Sequence, residues 1–181
     1  LSVSGNRGKR GSAALSNDVI FVPYEDSPHG PFDSIAFLER MAADQGSGTE
    51  VPAAVIVESI QIQAGVYAAS NDWLQRLRKW TEDNGVVLIL DEIQAGCGRA
   101  GDFFGFARSG ITPDIVTCAK SISGYGLPMA IVLIDPKLDV WAPGEHTGTF
   151  RGNQLAFLTA QIAFEYWQNQ GFLDLVAVNA A

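Results

Sequence analysis

Positive charge and cysteine are both scarce in this sequence. Against 20 Asp and Glu stand only 12 Lys and Arg, a net charge of −8. The chain therefore lacks the basic face that phosphate contacts demand, and nucleic acid is excluded as a partner. Cys97 and Cys118 form no CxxC pair and read as reduced thiols of a cytoplasmic protein, not as a disulfide or a metal site. No apolar run approaches the roughly 18 residues of a bilayer-spanning helix, so no membrane partner is expected. There is no internal repeat, no low-complexity tract and no GxxxxGK[ST] phosphate loop. The opening Leu1-Ser2-Val3-Ser4-Gly5 has neither a charged start nor an apolar stretch; it is no signal peptide, and the chain reads as an excerpt. What is present, 181 residues of which 47% are hydrophobic and 18% charged, suffices for one globular domain with a sizeable core.

Hydrophobic periodicity predicts an α/β architecture. Val19–Val22 reads as a strand ending at Pro23, and the basic Arg7, Lys9 and Arg10 before it as a solvated loop. Asp33 caps a helix over Ser34–Asp44, with Ile35, Leu38, Met41 and Ala42 on one face. Ala53–Val57 is a short strand with Glu58 at its end. A helix over Asp72–Asn84 follows, with Trp73, Leu77 and Trp80 inward and Gly85 as its stop. The next strand, Val86-Val87-Leu88-Ile89-Leu90, completes a βαβ unit and so runs parallel to the first. Asp114–Thr117 and Met129–Ile134 are further strands. A last helix spans about Asn153 to Gln170, with Leu155, Leu158, Ile162 and Tyr166 or Trp167 inward and Gly171 ending it.

Asp91 is the sharpest chemical signal. A carboxylate after five apolar residues needs a partner, because burying it unpaired costs several kcal/mol. Three readings compete. Leu88-Ile89-Leu90-Asp91-Glu92 has the form of a Walker B magnesium strand, but the matching phosphate loop is missing. Gly96-Cys97-Gly98-Arg99-Ala100-Gly101 fits G-x-G-x-x-G, yet Asp91–Ala95 intervene after the strand and Phe103-Phe104-Gly105-Phe106 opens a helix poorly. A tight turn with positive φ explains those glycines better. The third reading makes Asp91 the partner of a protonated pyridine nitrogen and Lys120 the Schiff-base lysine of pyridoxal 5'-phosphate. Such a lysine needs a constrained, partly desolvated place, and Lys120 sits between a strand and the Gly124-Tyr125-Gly126 turn.

The run Asp91–Gly101 resembles the D-E-x-Q-x-G-x-G-R-x-G segment of class III aminotransferases. Pro113-Asp114-Ile115-Val116 leading to Lys120, and His146-Thr147-Gly148-Thr149-Phe150-Arg151-Gly152-Asn153, resemble two more of that family's motifs, in the same order. The resemblance implies a fold-type I large domain, a mainly parallel sheet with flanking helices. Residues 1–181 would be its central part, without the upstream phosphate cup or the carboxyl-terminal small domain. It implies that Lys120 binds the cofactor covalently and then moves the substrate proton. Asp91 would hold the ring nitrogen protonated, Ile93 would pack on the ring and Gln94 would bond its phenolic oxygen. Thr149 would reach the cofactor phosphate of a neighbouring subunit, making a homodimer or higher homo-oligomer. Glu58 would sit near Gln94 and Asp91, and His146 would be structural in its loop. The wording of Lys120–Pro128 and Pro143–Asn153 is closest to one branch of the family. Its members move a terminal amino group between L-2,4-diaminobutyrate and glutamate in ectoine synthesis. Other ω-amine donors (ornithine, 4-aminobutyrate), a catalytically silent domain and a nucleotide-binding domain are the alternatives. One stretch departs from the family's Q-G-E-x-G: it reads Gln61-Ile62-Gln63-Ala64-Gly65, and Gln63 lacks the charge with which a glutamate would pair a substrate-binding arginine.

Overall fold

The computed structural model describes residues 2–10, 18–26, 28, 30–149 and 151–180. Leu1 of the opening and Phe150 of the histidine loop lie outside the described residues, as do the side chains of Arg7 and Lys9. In chain order the elements are α1 (Arg7–Arg10), α2 (Ser34–Ala43), β1 (Ala54–Val57), β2 (Ile60–Gln61), β3 (Tyr67–Ala68), α3 (Asn71–Asp83), β4 (Val87–Asp91), β5 (Ile115–Ala119), β6 (Ala130–Ile134), α4 (Gln154–Tyr166) and α5 (Gln170–Ala180). The main sheet has the order β1-β4-β5-β6, and β2 and β3 form a small antiparallel hairpin. Strands β1, β4 and β5 are parallel, with Val57 opposite Leu90 and Asp91 opposite Thr117. The last strand, β6, runs antiparallel to β5, with Ala130 opposite Ala119.

The two long amino-terminal helices form where local chemistry asks for them. Asp33 caps α2 by accepting from the Ala36 N–H at 3.0 Å, a bond whose loss typically costs about 1 kcal/mol. Ser70 caps α3 in the same way through the Trp73 N–H, and Gly85 stops it at φ +66°. Along α3, Trp73, Leu74, Leu77, Trp80 and Thr81 are buried, a stripe of helical period. It packs onto the sheet face that carries Leu88 and Leu90, both fully buried. Truncating either leucine to Ala would cost about 2–5 kcal/mol. Alternation along β4 places Ile89 and Asp91 on the opposite face. That face is less covered: Ile56 and Val132 there are 41% and 53% exposed.

Four expectations fail. Arg7–Arg10, expected as a loop, is a single helical turn. Val19–Val22 is not a strand: it finds no ladder partner among the described residues, and Val19, Ile20 and Val22 instead line an apolar cavity of about 270 Å³ between α2, α3 and β1. The carboxyl-terminal helix is two helices with a break at 167–169, and Gly171 lies inside the second. Its inward face is also different. Leu155, Leu158 and Ile162 are exposed, whereas Ala156 and Ala160 are buried. The cause is close approach: a Cβ on Gly124 would stand 2.5 Å from the Ala163 methyl and 3.2 Å from the Thr159 carbonyl. Only the small-residue face of α4 fits against the turn that follows Lys120.

Candidate active site

The candidate residues gather at the carboxyl rim of β1, β4 and β5, where open α/β sheets bind ligands. Asp91 closes β4 and points to the less covered face, half-buried; its Oδ1 accepts from the Ile93 N–H at 3.0 Å. Ile93 and Gln94 are half-buried in the turn that follows. Glu58 is one residue beyond Val57, hence level with Asp91 across the β1–β4 register, and its carbonyl accepts from the Tyr24 hydroxyl at 3.0 Å.

Lys120 begins the short 3-10 turn Lys120–Ser123 directly after β5. Its φ of 54° is left-handed, one of four such non-glycine residues among those described. A lysine pays for that conformation only where the surroundings over-determine it, and such residues cluster at functional sites. Its Nζ donates to Gln94 Oε1 at 2.9 Å, across 26 positions of sequence. An open cleft of about 500 Å³ lies beside it, lined by Lys120, Ser121, Gly124, Gly126, Leu127 and Pro128.

Two buried side-chain oxygens among the described residues have no hydrogen-bond partner, Thr117 Oγ1 and Ser123 Oγ. Both lie within three positions of Lys120, and Thr117 is the register partner of Asp91. Buried hydroxyls are seldom left unpaired without a reason, and a bound polar group or water is a common one. The set at the rim is a primary amine, a carboxylate in no ion pair among the described residues, and an amide. Those donors and acceptors fit a ligand with an aldehyde, a protonatable ring nitrogen and a phenolic oxygen.

Thr149 stands apart. It is exposed in the loop after β6, and among the described residues it makes no hydrogen bond to Lys120, Asp91 or Gln94. In the same loop Arg151 donates to the His146 carbonyl at 2.9 Å, and the His146 ring stacks on Trp141 with centroids 5.2 Å apart. Gln63 is exposed in the turn of the β2–β3 hairpin, where the Ile62 carbonyl accepts from Gly65 and Val66.

The glycines after Asp91 do open a turn, not a helix: Gly98 and Gly101 have φ of 82° and 97°. A Cβ at Gly98 would meet the Trp167 ring at 2.5 Å. The dinucleotide reading thereby loses its helix. Both thiols are free, and burial pushes the Cys118 thiol up to about 11 and that of Cys97 upward, which lowers the fraction of reactive thiolate.

Sequence reasoning passed over Glu92 and Ser59. Glu92 is 1% exposed; its carboxylate accepts from the Ser59 hydroxyl at 2.5 Å and from the Gly105 N–H at 2.8 Å. The available signal was strand alternation: if Asp91 faces out at the rim, the acid beside it must turn inward.

Residues 1–180 match the family described as aminotransferase class-III. Among curated relatives, the diaminobutyrate–2-oxoglutarate transaminase of Halalkalibacterium halodurans is 50% identical over 173 residues, 95% of this chain and 40% of the relative. That of Vibrio parahaemolyticus is 52% identical over 174 residues, 95% of this chain and 41% of the relative. The chain therefore spans about 40% of the length of the curated relatives it matches. Of solved structures, an S-selective transaminase from Bacillus megaterium superposes with a TM-score of 0.74 at 28% identity, covering 90% of this chain and 37% of that one. The Plasmodium falciparum ornithine δ-aminotransferase gives 0.64 at 28% identity, covering 83% and 35%. These neighbours share the fold-type I architecture, with its mainly parallel sheet and flanking helices.

Proposed function

The chain belongs to the class-III aminotransferase family, and from that premise we propose that it is the central part of the cofactor-binding large domain of a pyridoxal 5'-phosphate-dependent enzyme. The complete protein would move the terminal amino group between L-2,4-diaminobutyrate and L-aspartate 4-semialdehyde on one side and glutamate and 2-oxoglutarate on the other, a reaction of ectoine synthesis. The observation that carries the reading is the Lys120–Gln94 contact at 2.9 Å on the same rim as Asp91. The substrate rests on the roughly 50% identity to the named transaminases.

When bound, pyridoxal phosphate supplies an aldehyde that condenses with amines and a ring that takes up an electron pair. The chain's own residues do the rest. Gln94 Oε1 accepts from the Lys120 amine and fixes its direction; Lys120, as a free amine, would take the proton from the substrate carbon and deliver it to the carbon of the cofactor's former aldehyde. Asp91 holds a proton at the ring nitrogen, since a carboxylate beside it favours the charged form. Ile93 packs on the ring face. Glu58 stands toward the substrate side, and Thr149 serves the phosphate of a neighbouring subunit, which makes the enzyme a homodimer or higher homo-oligomer.

The test is to supply the complete gene product with 2-oxoglutarate and, in turn, diaminobutyrate, ornithine and 4-aminobutyrate, and to measure glutamate. The highest kcat/KM is expected with diaminobutyrate. Preference for another of these amines would leave the class and remove the substrate; no glutamate from any of them would remove the function.

A further inference from the structure

We propose that Glu92 is a positioning residue of the rim, acting through hydrogen-bond geometry and not through its charge to fix the turn that carries Gln94 to Lys120.

Every polar group of this residue is tied. Its N–H donates to the Thr117 carbonyl at 2.9 Å, extending the β4–β5 ladder past Asp91, and its carbonyl accepts from the Gly96 N–H at 3.0 Å, closing the turn around Gln94. Its two carboxylate oxygens join separate segments: Ser59 just after β1, and Gly105 in the aromatic loop. Ser59 is itself fully buried, and its carbonyl accepts from the Tyr24 hydroxyl at 3.0 Å and the Ala69 N–H at 3.1 Å. The space is cut to this arrangement. A Cβ at Gly96 would stand 2.7 Å from the Glu92 carbonyl oxygen, and one at Gly105 2.7 Å from Ser59 Oγ. Glu92 thus locks both ends of the segment whose middle residue holds the lysine.

Charge is not what the two partners require. The Gly105 N–H only donates, whereas a serine hydroxyl donates or accepts. A glutamine amide presenting its oxygen to Gly105 and its NH₂ to Ser59 would satisfy both. Alanine would leave a buried N–H and a buried hydroxyl unpaired, and aspartate is one methylene too short to reach both. Burial also pushes the Glu92 carboxyl above its ordinary range, with the Ser59 and Gly105 bonds pulling the other way and Asp91 adding to the rise. The neutral acid, which the amide imitates, is thereby brought closer to accessible pH.

The experiment uses the complete gene product carrying Glu92→Gln, Glu92→Ala, Ser59→Ala, Gln94→Ala or Ser59→Ala with Gln94→Ala. In the cofactor-free protein, amide hydrogen exchange over residues 93–96 should accelerate about 10-fold or more in Ser59→Ala and stay near wild type in Glu92→Gln. The effect on cofactor affinity rests on the proposed function: pyridoxal phosphate should bind about 10-fold more weakly to Ser59→Ala and within about threefold of wild type to Glu92→Gln. If the latch works through Gln94, the Ser59→Ala effect should shrink below about twofold once Gln94 is already Ala. Additive losses would make the latch a purely structural support and overturn the inference, as would a Glu92→Gln protein as impaired as Ser59→Ala. Should Glu92→Ala fail to fold, the other variants still decide. A wild-type protein that binds no pyridoxal phosphate would refute the proposed function, and the exchange measurement would still judge the latch.

Discussion

The paired strands β4 and β5 have one aspartate at each end of the pair, Asp114 at the amino end and Asp91 at the carboxyl end, and the two are treated in opposite ways. At the amino end, Asp114 is paired with Arg78 at 2.7 Å and accepts from the Leu88 N–H at 2.7 Å, while its own N–H donates to the Leu88 carbonyl at 3.0 Å. The pair is only 17% and 20% exposed. At the carboxyl end, Asp91 accepts from the neighbouring Ile93 N–H and enters no ion pair among the described residues. The lysine of that rim donates to an amide instead. A closed pair spends its charge on holding two elements together. An aspartate without one keeps its charge for a ligand, and across the register from it stands the orphaned hydroxyl of Thr117, three residues before the left-handed Lys120.

The contrast can be broken from either end. Lys120→Ala should remove turnover of the complete gene product altogether and leave the thermal unfolding midpoint of the cofactor-free protein unchanged. Asp91→Asn should lower kcat about 100-fold or more, the scale on which a single oriented charge or donor acts on a developing charge, again without loss of stability; steady-state kinetics and a melting curve check both. Asp114→Ala should do the reverse. It takes from Arg78 one of its two carboxylate partners, Glu82 at 2.7 Å being the other, and leaves the Leu88 N–H unpaired, so denaturant unfolding should show about 1–3 kcal/mol lost, with kcat per folded molecule unaltered.

The pH dependence of the Asp114 pair follows from its surroundings. Burial pushes the carboxyl up, but the Arg78 guanidinium and the Leu88 N–H outweigh it and hold Asp114 below its ordinary value. A carboxylate depressed in the folded state stabilises above its unfolded value, and that contribution disappears as pH falls through the folded one. The stability gap between wild type and Asp114→Ala should accordingly be full at neutral pH and narrow below about pH 4. The smallest effect belongs to Lys79→Ala. Its pair with Asp83 on α3 is 76% and 58% exposed, and solvent screening predicts no measurable change in melting temperature.

Much of this was readable before any coordinates. The βαβ unit, the caps at Asp33 and the stop at Gly85 follow from local chemistry that tertiary packing had no cause to override. Asp91, Gln94 and Lys120 were legible because a motif ties residue types to strand ends. The face of α4 was not. Periodicity selects large apolar residues, whereas the turn after Lys120 meets α4 at close range through Ala163 and the Thr159 backbone, and the buried residues of that helix are Ala156 and Ala160. Val19–Val22 has strand composition, but a strand needs an edge to pair with, and Tyr24 instead anchors the segment through its hydroxyl to Glu58 and Ser59. Glu92 was hidden by its neighbour: two adjacent acids look like one acidic site until alternation sends them to opposite faces.

The most direct test is borohydride trapping of pyridoxal phosphate on the complete gene product, followed by peptide mass mapping. The account predicts one reduced adduct, on Lys120, that vanishes in Lys120→Ala. An adduct on Lys9, Lys79 or Lys137 instead, or none at all, would contradict it.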